Sequence, residues 1–164
     1  MKGLGSLEGK VIVVTGAAQG IGAALTDRCI SLGARVVAVD LNADGLAELE
    51  KRHGKAVLAR TGNVADQAFV LSTVTGAIDH FGAIHGLANN AGITRPAMIE
   101  KMALEQWHQV LEVHLTAAFL WTQAVGKHMI QRFKDGDTRP GAIVNHSSIA
   151  GLRGSIGQLN YAAA

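Results

Sequence analysis

Short apolar runs alternate with longer, partly polar segments along the chain. The apolar runs have the length and the valine content of buried strands, and they predict strands at Val11–Val14, Arg35–Asp40, Ala56–Ala59, Ile84–Ala88 and Ala142–Asn145. The segments between them predict helices at Ile21–Leu32, Asn42–His53, Asp66–Phe81 and from about Leu104 to Phe133. Strands that alternate with helices form a parallel sheet with helices on both faces. We therefore expect one doubly wound, three-layer α/β domain over residues 1–164.

Composition and charge exclude several classes of protein. Hydrophobic residues make up 48% of the 164 residues and charged residues 17%, as in a globular domain. The net charge of +2 comes without a basic run, so nothing indicates nucleic-acid binding, and no apolar run is long enough to span a bilayer. The segment Met1–Glu8 lacks the apolar core of a signal peptide, and the single cysteine, Cys29, suits a reducing compartment. We therefore expect a cytoplasmic protein.

A glycine-rich segment joins the first strand to the first helix and reads TGAAQGIG from Thr15 to Gly22. Such a turn leaves backbone N–H groups bare at the positive end of a helix dipole, where a phosphate or pyrophosphate can bind. Gly16 would permit the tight turn, Gly20 the close approach of a ligand, and Gly22 the packing of the helix against the strand; Ile21 lies among them. A turn that binds nothing is the alternative, so the motif needs support from other residues.

Residues at the carboxyl ends of the next three strands supply that support. An aspartate at the end of the second strand could accept hydrogen bonds from an adenosine ribose and repel a 2′-phosphate. Residues after the third strand could contact the adenine, and small residues after the fourth allow a flat ring to lie against the backbone. Ordinary turns use the same residue types, so this interpretation depends on the glycine turn. The candidates form a Rossmann-type dinucleotide site without metal, and they are Asp40, Leu41, Asn63, Val64, Asn90, Ala91 and Gly92.

The stretch after the fifth strand adds a serine and a tyrosine to the pattern. Ser148 follows the strand, and Tyr161 stands in the sequence GQLNYAAA that begins at Gly157. Together with the glycine turn and the NNAG sequence that ends at Gly92, these residues resemble the short-chain dehydrogenase/reductase family. The sequence GITR that ends at Arg95 is most similar to its 3-oxoacyl-(acyl carrier protein) reductase branch. The resemblance covers the whole chain.

The resemblance implies an NAD(H)-dependent oxidoreductase that interconverts a secondary alcohol and a ketone, with a 3-hydroxyacyl or 3-oxoacyl thioester as the first substrate to consider. It implies that Tyr161 exchanges a proton with the substrate oxygen and that Ser148 hydrogen-bonds the same oxygen. Where the family usually has an asparagine in a proton relay, this chain has His114, which could carry a proton itself or be a plain hydrogen-bonded histidine. Gln19 stands where NADP-using relatives often have a basic residue, so it favours NAD together with Asp40.

The family motif Tyr-x-x-x-Lys is incomplete, because the chain stops at Ala164, one residue before the lysine. That lysine would bind the nicotinamide ribose and activate the tyrosine, and family members continue with two more strands. We therefore expect the N-terminal part of a longer domain, truncated after the fifth strand, which would be an open edge. The intact protein would act on a small molecule as a homo-oligomer, a dimer or a tetramer. Two alternatives are a nucleotide-binding fragment without turnover and a methyltransferase that binds S-adenosylmethionine, although the latter leaves Ser148 and Tyr161 unexplained.

Overall fold

The structure, a computed structural model, describes residues 5–164 and contains a five-stranded parallel sheet. The first half of the segment Met1–Glu8, which is predicted not to be a signal peptide, lies outside the described residues. The strands follow the order β3-β2-β1-β4-β5 across the sheet. Strands β2 and β3 thus lie on one side of β1, and β4 and β5 lie on the other, so the strand order reverses between β1 and β4. Their bounds are Val11–Thr15 (β1), Arg35–Asp40 (β2), Val57–Thr61 (β3), Gly86–Asn89 (β4) and Ala142–Asn145 (β5).

Helices connect successive strands as the alternating pattern predicts. Their bounds are Gly20–Ser31 (α1), Ala43–His53 (α2), Gln67–Phe81 (α3), Leu104–Leu111 (α4), Ala117–Lys134 (α5), Ile149–Arg153 (α6) and Leu159–Ala163 (α7). Three side chains accept hydrogen bonds from the first-turn N–H groups of the helices that follow them: Asn42 before α2, Asp66 before α3 and Ser148 before α6. Single turns of 3₁₀ helix occur at Gly54–Ala56 and Ile99–Lys101.

Two hydrophobic clusters, one on each face of the sheet, hold the three layers together. Alternate residues of a strand point to opposite faces, and both faces of β1, β2 and β4 are apolar. On one face, strand residues pack with α3 and α5; these residues are Val11, Val13, Val37, Val39 and Leu87. On the other face, strand residues pack with α1 and α2; these are Val14, Val36, Ala38 and Ala88. The predicted doubly wound α/β fold is confirmed.

The predicted helix from about Leu104 to Phe133 is present, and its backbone is helical from Leu104 to Lys134, with one irregular turn that the sequence pattern did not predict. A π-helical turn, Glu112–Thr116, separates α4 from α5. Such a turn inserts an extra residue into the helix, which the apolar pattern does not reveal, and it is frequent at functional sites. The side chain of His114, in the middle of this turn, makes its hydrogen bonds outside the helix.

The edge position of β5 agrees with the prediction. Within the described part of the chain, β5 pairs with β4 alone, and its Val144 side chain is 53% exposed. The third strand lies at the opposite edge and begins one residue later than predicted, at Val57, because residues 54–56 form a 3₁₀ turn. Among residues 5–164, no helix is long and apolar enough to cross a membrane.

Candidate active site

The glycine turn between β1 and α1 has the geometry of an anion-binding turn. Gly16 adopts φ +67°, a left-handed conformation that other residues rarely adopt, and a Cβ there would lie 2.8 Å from the Cα of Ala91. A Cβ on Gly22 would overlap the carbonyl oxygen of Gly16, so only glycine allows α1 to approach the turn this closely. The side chain of Gln19, which precedes α1, makes no capping hydrogen bond. The first N–H groups of α1 are therefore left for a ligand.

Asp40 lies beside this turn at the end of β2. Its Oδ2 accepts a hydrogen bond from the backbone N–H of Ala18 at 2.9 Å, and its Oδ1 accepts one from Asn42 at 3.0 Å. An ionised carboxylate offers about four acceptor positions, so each oxygen can still accept a hydrogen bond from a ribose hydroxyl. Asp40 thus fixes the turn and also presents negative charge where an adenosine ribose would lie. The residues present fit a dinucleotide at this edge.

The two residues predicted to contact adenine, Asn63 and Val64, lie in the loop that follows β3. Asn63 Oδ1 accepts a hydrogen bond from the N–H of Ala65 and so shapes the loop. The Val64 side chain is buried in the core, and its carbonyl oxygen accepts a hydrogen bond from Trp121 Nε1 at 3.1 Å. Only backbone atoms of Val64 could therefore meet an adenine. The Leu41 side chain, by contrast, is 71% exposed after the end of β2.

A hydrogen-bond network ties the segment after β4 to the glycine turn. Asn90 Nδ2 donates to the carbonyl oxygens of Thr15 at 2.9 Å and Gly16 at 3.2 Å. The Thr15 hydroxyl accepts from the backbone N–H groups of Asn90 and Ala91 and lies 3.3 Å from the carbonyl oxygen of Ala88. The segment that contains Gly92 is thereby held close to the turn.

One cavity of about 890 Å³ opens at the carboxyl ends of β4 and β5, next to the glycine turn. It brings together side chains that are far apart in the sequence. From the proposed cofactor side, Ile21 and the segment Asn90–Gly92 line this cavity. From the proposed catalytic side, Ser148, Tyr161 and His114 line it. Parallel sheets bind ligands at this position, where the strand order reverses.

Ser148 occupies the position that precedes α6. Its Oγ accepts a hydrogen bond from the N–H of Ala150 at 3.2 Å, which fixes the side chain as a helix cap. A hydroxyl group that accepts in this way still has its own proton to donate. Ser148 can therefore donate a hydrogen bond to an oxygen atom in the cavity.

His114 and Tyr161, which also line the cavity, are in contact with each other. Their rings contact edge to face, with centroids 5.2 Å apart and planes at 89°. His114 Nε2 lies 3.0 Å from the nitrogen and 2.9 Å from the oxygen of Ile93. It accepts from this N–H in one tautomer and donates to this carbonyl in the other. His114 thus has a defined structural role between Tyr161 and the loop after β4.

Two further residues of this region, His146 and Asn160, are not among the candidates selected from the sequence. His146 lines the cavity, and its Nδ1 lies 2.9 Å from Asn90 Oδ1, which can only accept, so this nitrogen donates the hydrogen bond. Asn160, directly before Tyr161, is fully buried and hydrogen-bonded to three backbone segments. A polar residue beside a candidate catalytic tyrosine is the only local signal for Asn160.

Fold and site together define a class, that of Rossmann-type, doubly wound α/β proteins with a nucleotide-binding turn after the first strand. The family follows from comparison with known proteins. The model of the short chain dehydrogenase family matches residues 10–164, and the chain belongs to that family.

Several relatives resemble this chain along nearly its whole length. A 3-oxoacyl-[acyl-carrier-protein] reductase of Thermotoga maritima is 42% identical over 161 residues, which cover 96% of this chain and 63% of that protein. D-threitol dehydrogenase of Mycolicibacterium smegmatis is also 42% identical, over 88% of this chain and 54% of the relative. The crystal structure of a 3-ketoacyl-(acyl-carrier-protein) reductase from Brucella melitensis with NADH has a TM-score of 0.90 at 31% identity, over 96% of this chain and 64% of that one. The chain thus spans less than two thirds of the length of each of these proteins.

Proposed function

We propose that this protein is an NAD-dependent oxidoreductase that interconverts a secondary alcohol and a ketone. The observation that carries the proposal is the shared cavity, which is lined both by Tyr161 and Ser148 and by the residues that would hold the nicotinamide end of the cofactor. A nucleotide-binding protein without chemistry would have no need for a hydroxyl pair at that position. Membership of the short chain dehydrogenase family supports the same reaction class.

Bound NAD would supply the hydride acceptor, and the protein's own residues would bind the substrate and handle its proton. Ser148 would donate its hydroxyl proton in a hydrogen bond to the substrate oxygen while Oγ remains held by the N–H of Ala150. Tyr161 would take the proton of the alcohol as phenolate during oxidation, and as phenol it would give a proton to the ketone oxygen during reduction. The edge-on contact with His114 restricts the orientation of the tyrosine ring.

His114 would connect this proton transfer to the helix and the loop behind the site. Its Nε2 can accept from the N–H of Ile93 in one tautomer and donate to the carbonyl of the same residue in the other. An imidazole that can do both is suited to passing a proton on. We therefore assign His114 to the proton path behind Tyr161.

The charges around the ribose site favour NAD over NADP. Asp40 places a carboxylate there, fixed by its two backbone hydrogen bonds, and a 2′-phosphate would be repelled by it. Gln19 is exposed at the start of α1 and offers no positive charge to offset this repulsion. The Brucella melitensis reductase structure that contains NADH agrees with this preference.

The relatives suggest which substrates to test first. Two of them are named for reduction of 3-oxoacyl groups on acyl carrier protein and a third for oxidation of D-threitol, so we propose a 3-oxoacyl thioester first and a polyol second. We further propose that the intact protein is a cytoplasmic homo-oligomer, a dimer or a tetramer, built on a single cofactor-binding domain.

Tyr161→Phe tests the proposal with a minimal change. The variant keeps the ring and its contact with His114 but removes the hydroxyl group. We expect turnover, followed as reduced nicotinamide at 340 nm, to fall at least ~100-fold, while the dissociation constant for NAD stays within about twofold. Unchanged turnover in the variant would refute the catalytic role of Tyr161. Binding of NAD by the parent protein without turnover on any ketone or alcohol would favour a nucleotide-binding module instead.

A further inference from the structure

The Asn160 side chain is buried between three backbone segments, and its exposed fraction is 0%. Its Nδ2 donates to the carbonyl oxygen of Arg95 at 2.9 Å and to that of Gln106 at 3.0 Å. Its Oδ1 accepts from the backbone N–H of Tyr161 at 2.9 Å. Both amide protons are therefore used, and the side chain joins the loop after β4, helix α4 and helix α7.

Asn160 Oδ1 accepts a hydrogen bond from the backbone N–H of Tyr161, which has no acceptor within the helix. Helix α7 begins at Leu159, so Tyr161 occupies its third position, and the first N–H groups of a helix have no intrahelical acceptor. The preceding residue, Gln158, provides no side-chain cap. Asn160 thus supplies the acceptor that fixes the backbone of the proposed catalytic tyrosine.

We propose that Asn160 is a positioning residue that sets where the Tyr161 hydroxyl stands in the cavity. This role rests on the proposed function. Asn160 would make the position of the catalytic hydroxyl depend on the loop after β4. His114 holds this loop at Ile93, and Asn160 holds it two residues later at Arg95. Tyr161 is joined to both, through its ring to His114 and through its backbone to Asn160. The loop after β4, helix α4, the π turn that carries His114 and helix α7 are thus linked to one another around Tyr161.

Removal of the amide group should release Tyr161 without disturbing the cofactor side. Asn160→Ala leaves the carbonyls of Arg95 and Gln106 and the N–H of Tyr161 without this partner. A displacement of the hydroxyl by about 1 Å is enough to reduce turnover on the order of 100-fold, so we expect a loss of roughly 10- to 100-fold. None of the hydrogen bonds of Asn160 reaches the glycine turn or Asp40, and we expect the dissociation constant for NAD to stay within about twofold.

Leu49→Ala is the matched control for lost stability. Leu49 is 2% exposed in the cluster between α2 and the sheet, and its truncation destabilises the core without touching the cavity lining. If Asn160 matters only for stability, both variants should lose activity in proportion to their free energy of unfolding. If it positions Tyr161, only Asn160→Ala should lose turnover at a temperature where both are folded.

A spectroscopic readout separates this proposal from the proposed function. Tyr161 is the only tyrosine of the 164-residue chain, so ring-labelled tyrosine gives one set of NMR signals from this chain. The parent protein and Leu49→Ala should show a nuclear Overhauser effect between the rings of Tyr161 and His114, and Asn160→Ala should lose or weaken it. Parent protein without turnover would refute the proposed function, yet the NMR comparison would still decide the positioning role.

Two outcomes would overturn the proposal, and a second variant covers the case in which Asn160→Ala does not fold. Asn160→Ala that folds and keeps both its turnover and the ring-to-ring signal would overturn it. If this variant does not fold, Asn160→Asp takes its place, because it keeps an acceptor for the Tyr161 N–H and replaces the two donors with oxygen. We expect Asn160→Asp to fold with a weakened ring-to-ring signal. Failure of both variants to fold would make Asn160 a folding determinant and would also overturn the proposal.

Discussion

His85, at the end of the sheet opposite the cavity, should make the stability of this protein depend on pH. Its side chain is buried, and Nδ1 accepts a hydrogen bond from the N–H of Val11 at 3.1 Å, a bond that only the neutral ring can make. Burial, and then the positive charges of Arg132, Arg139 and Lys10, lower the pKa of His85 from 6.5 to about 4, against an opposing effect of Asp137. The charged form is therefore disfavoured in the folded protein and free to form in the unfolded one.

The direction and size of the effect follow from this pKa difference. Because the pKa of His85 is lower in the folded state, its contribution is fully present above pH 6.5 and is lost as the pH falls toward 4. The free energy of unfolding should decrease by about 2 kcal/mol between pH 8 and pH 5 and by about 3 kcal/mol at pH 4. Burial also lowers the pKa of His128, whose Nε2 accepts from the N–H of Ile84, so it adds to the loss in the same direction.

His85→Asn tests this expectation. The asparagine Oδ1 can accept from the N–H of Val11, but the side chain does not titrate. The variant should be less stable at pH 8 by about 1–2 kcal/mol, because the smaller side chain leaves a cavity, and its stability should fall less steeply toward pH 5. Urea unfolding followed by tryptophan fluorescence measures this, since Trp121 is fully buried. His108→Asn, at an exposed histidine of α4, is the control and should keep the parent's slope. A slope in His85→Asn as steep as the parent's would refute the reasoning.

Three further predictions concern the proposed site. Asp40→Ala should shift the ratio of kcat/KM for NADH over NADPH toward NADPH by roughly tenfold or more, because the repelling charge is gone; a parent enzyme that already prefers NADPH would contradict this. His114→Asn, which keeps hydrogen-bonding groups, should retain turnover within about tenfold, whereas His114→Leu should lose roughly 10- to 100-fold; equal activity of the two would exclude a role for the side chain. Gly22→Ala should destabilise the protein by about 1–3 kcal/mol and abolish NAD binding measured by calorimetry, because its methyl group would overlap Gly16 O. Gly126→Ala is its control in α5, where a Cβ meets open space, and should leave NAD binding unchanged.

The order of strands and helices could be predicted from sequence because it depends on neighbours in the chain. Valine-rich runs such as Arg35–Asp40 identify buried strands, and Asn42 and Asp66 identify helix starts, by interactions that span a few residues. The glycine turn is equally local, since Gly16 is needed for its own φ angle. The long helix from Leu104 follows from the same local pattern, whereas the π turn within it leaves no mark on the apolar pattern.

The sequence by itself thus determined the doubly wound fold, the place of the turn and the candidate residues around it. Only the tertiary structure decided which of them share a cavity and what holds them there. Asn160 hydrogen-bonds to Arg95 and Gln106, and His114 to Ile93. These partners are distant in the sequence and are brought together in the fold, where α4 packs against α7. The physical reason is that periodicity and turn chemistry are properties of adjacent residues. The partner of a buried polar group depends on how distant segments pack, and no local pattern in the sequence records that.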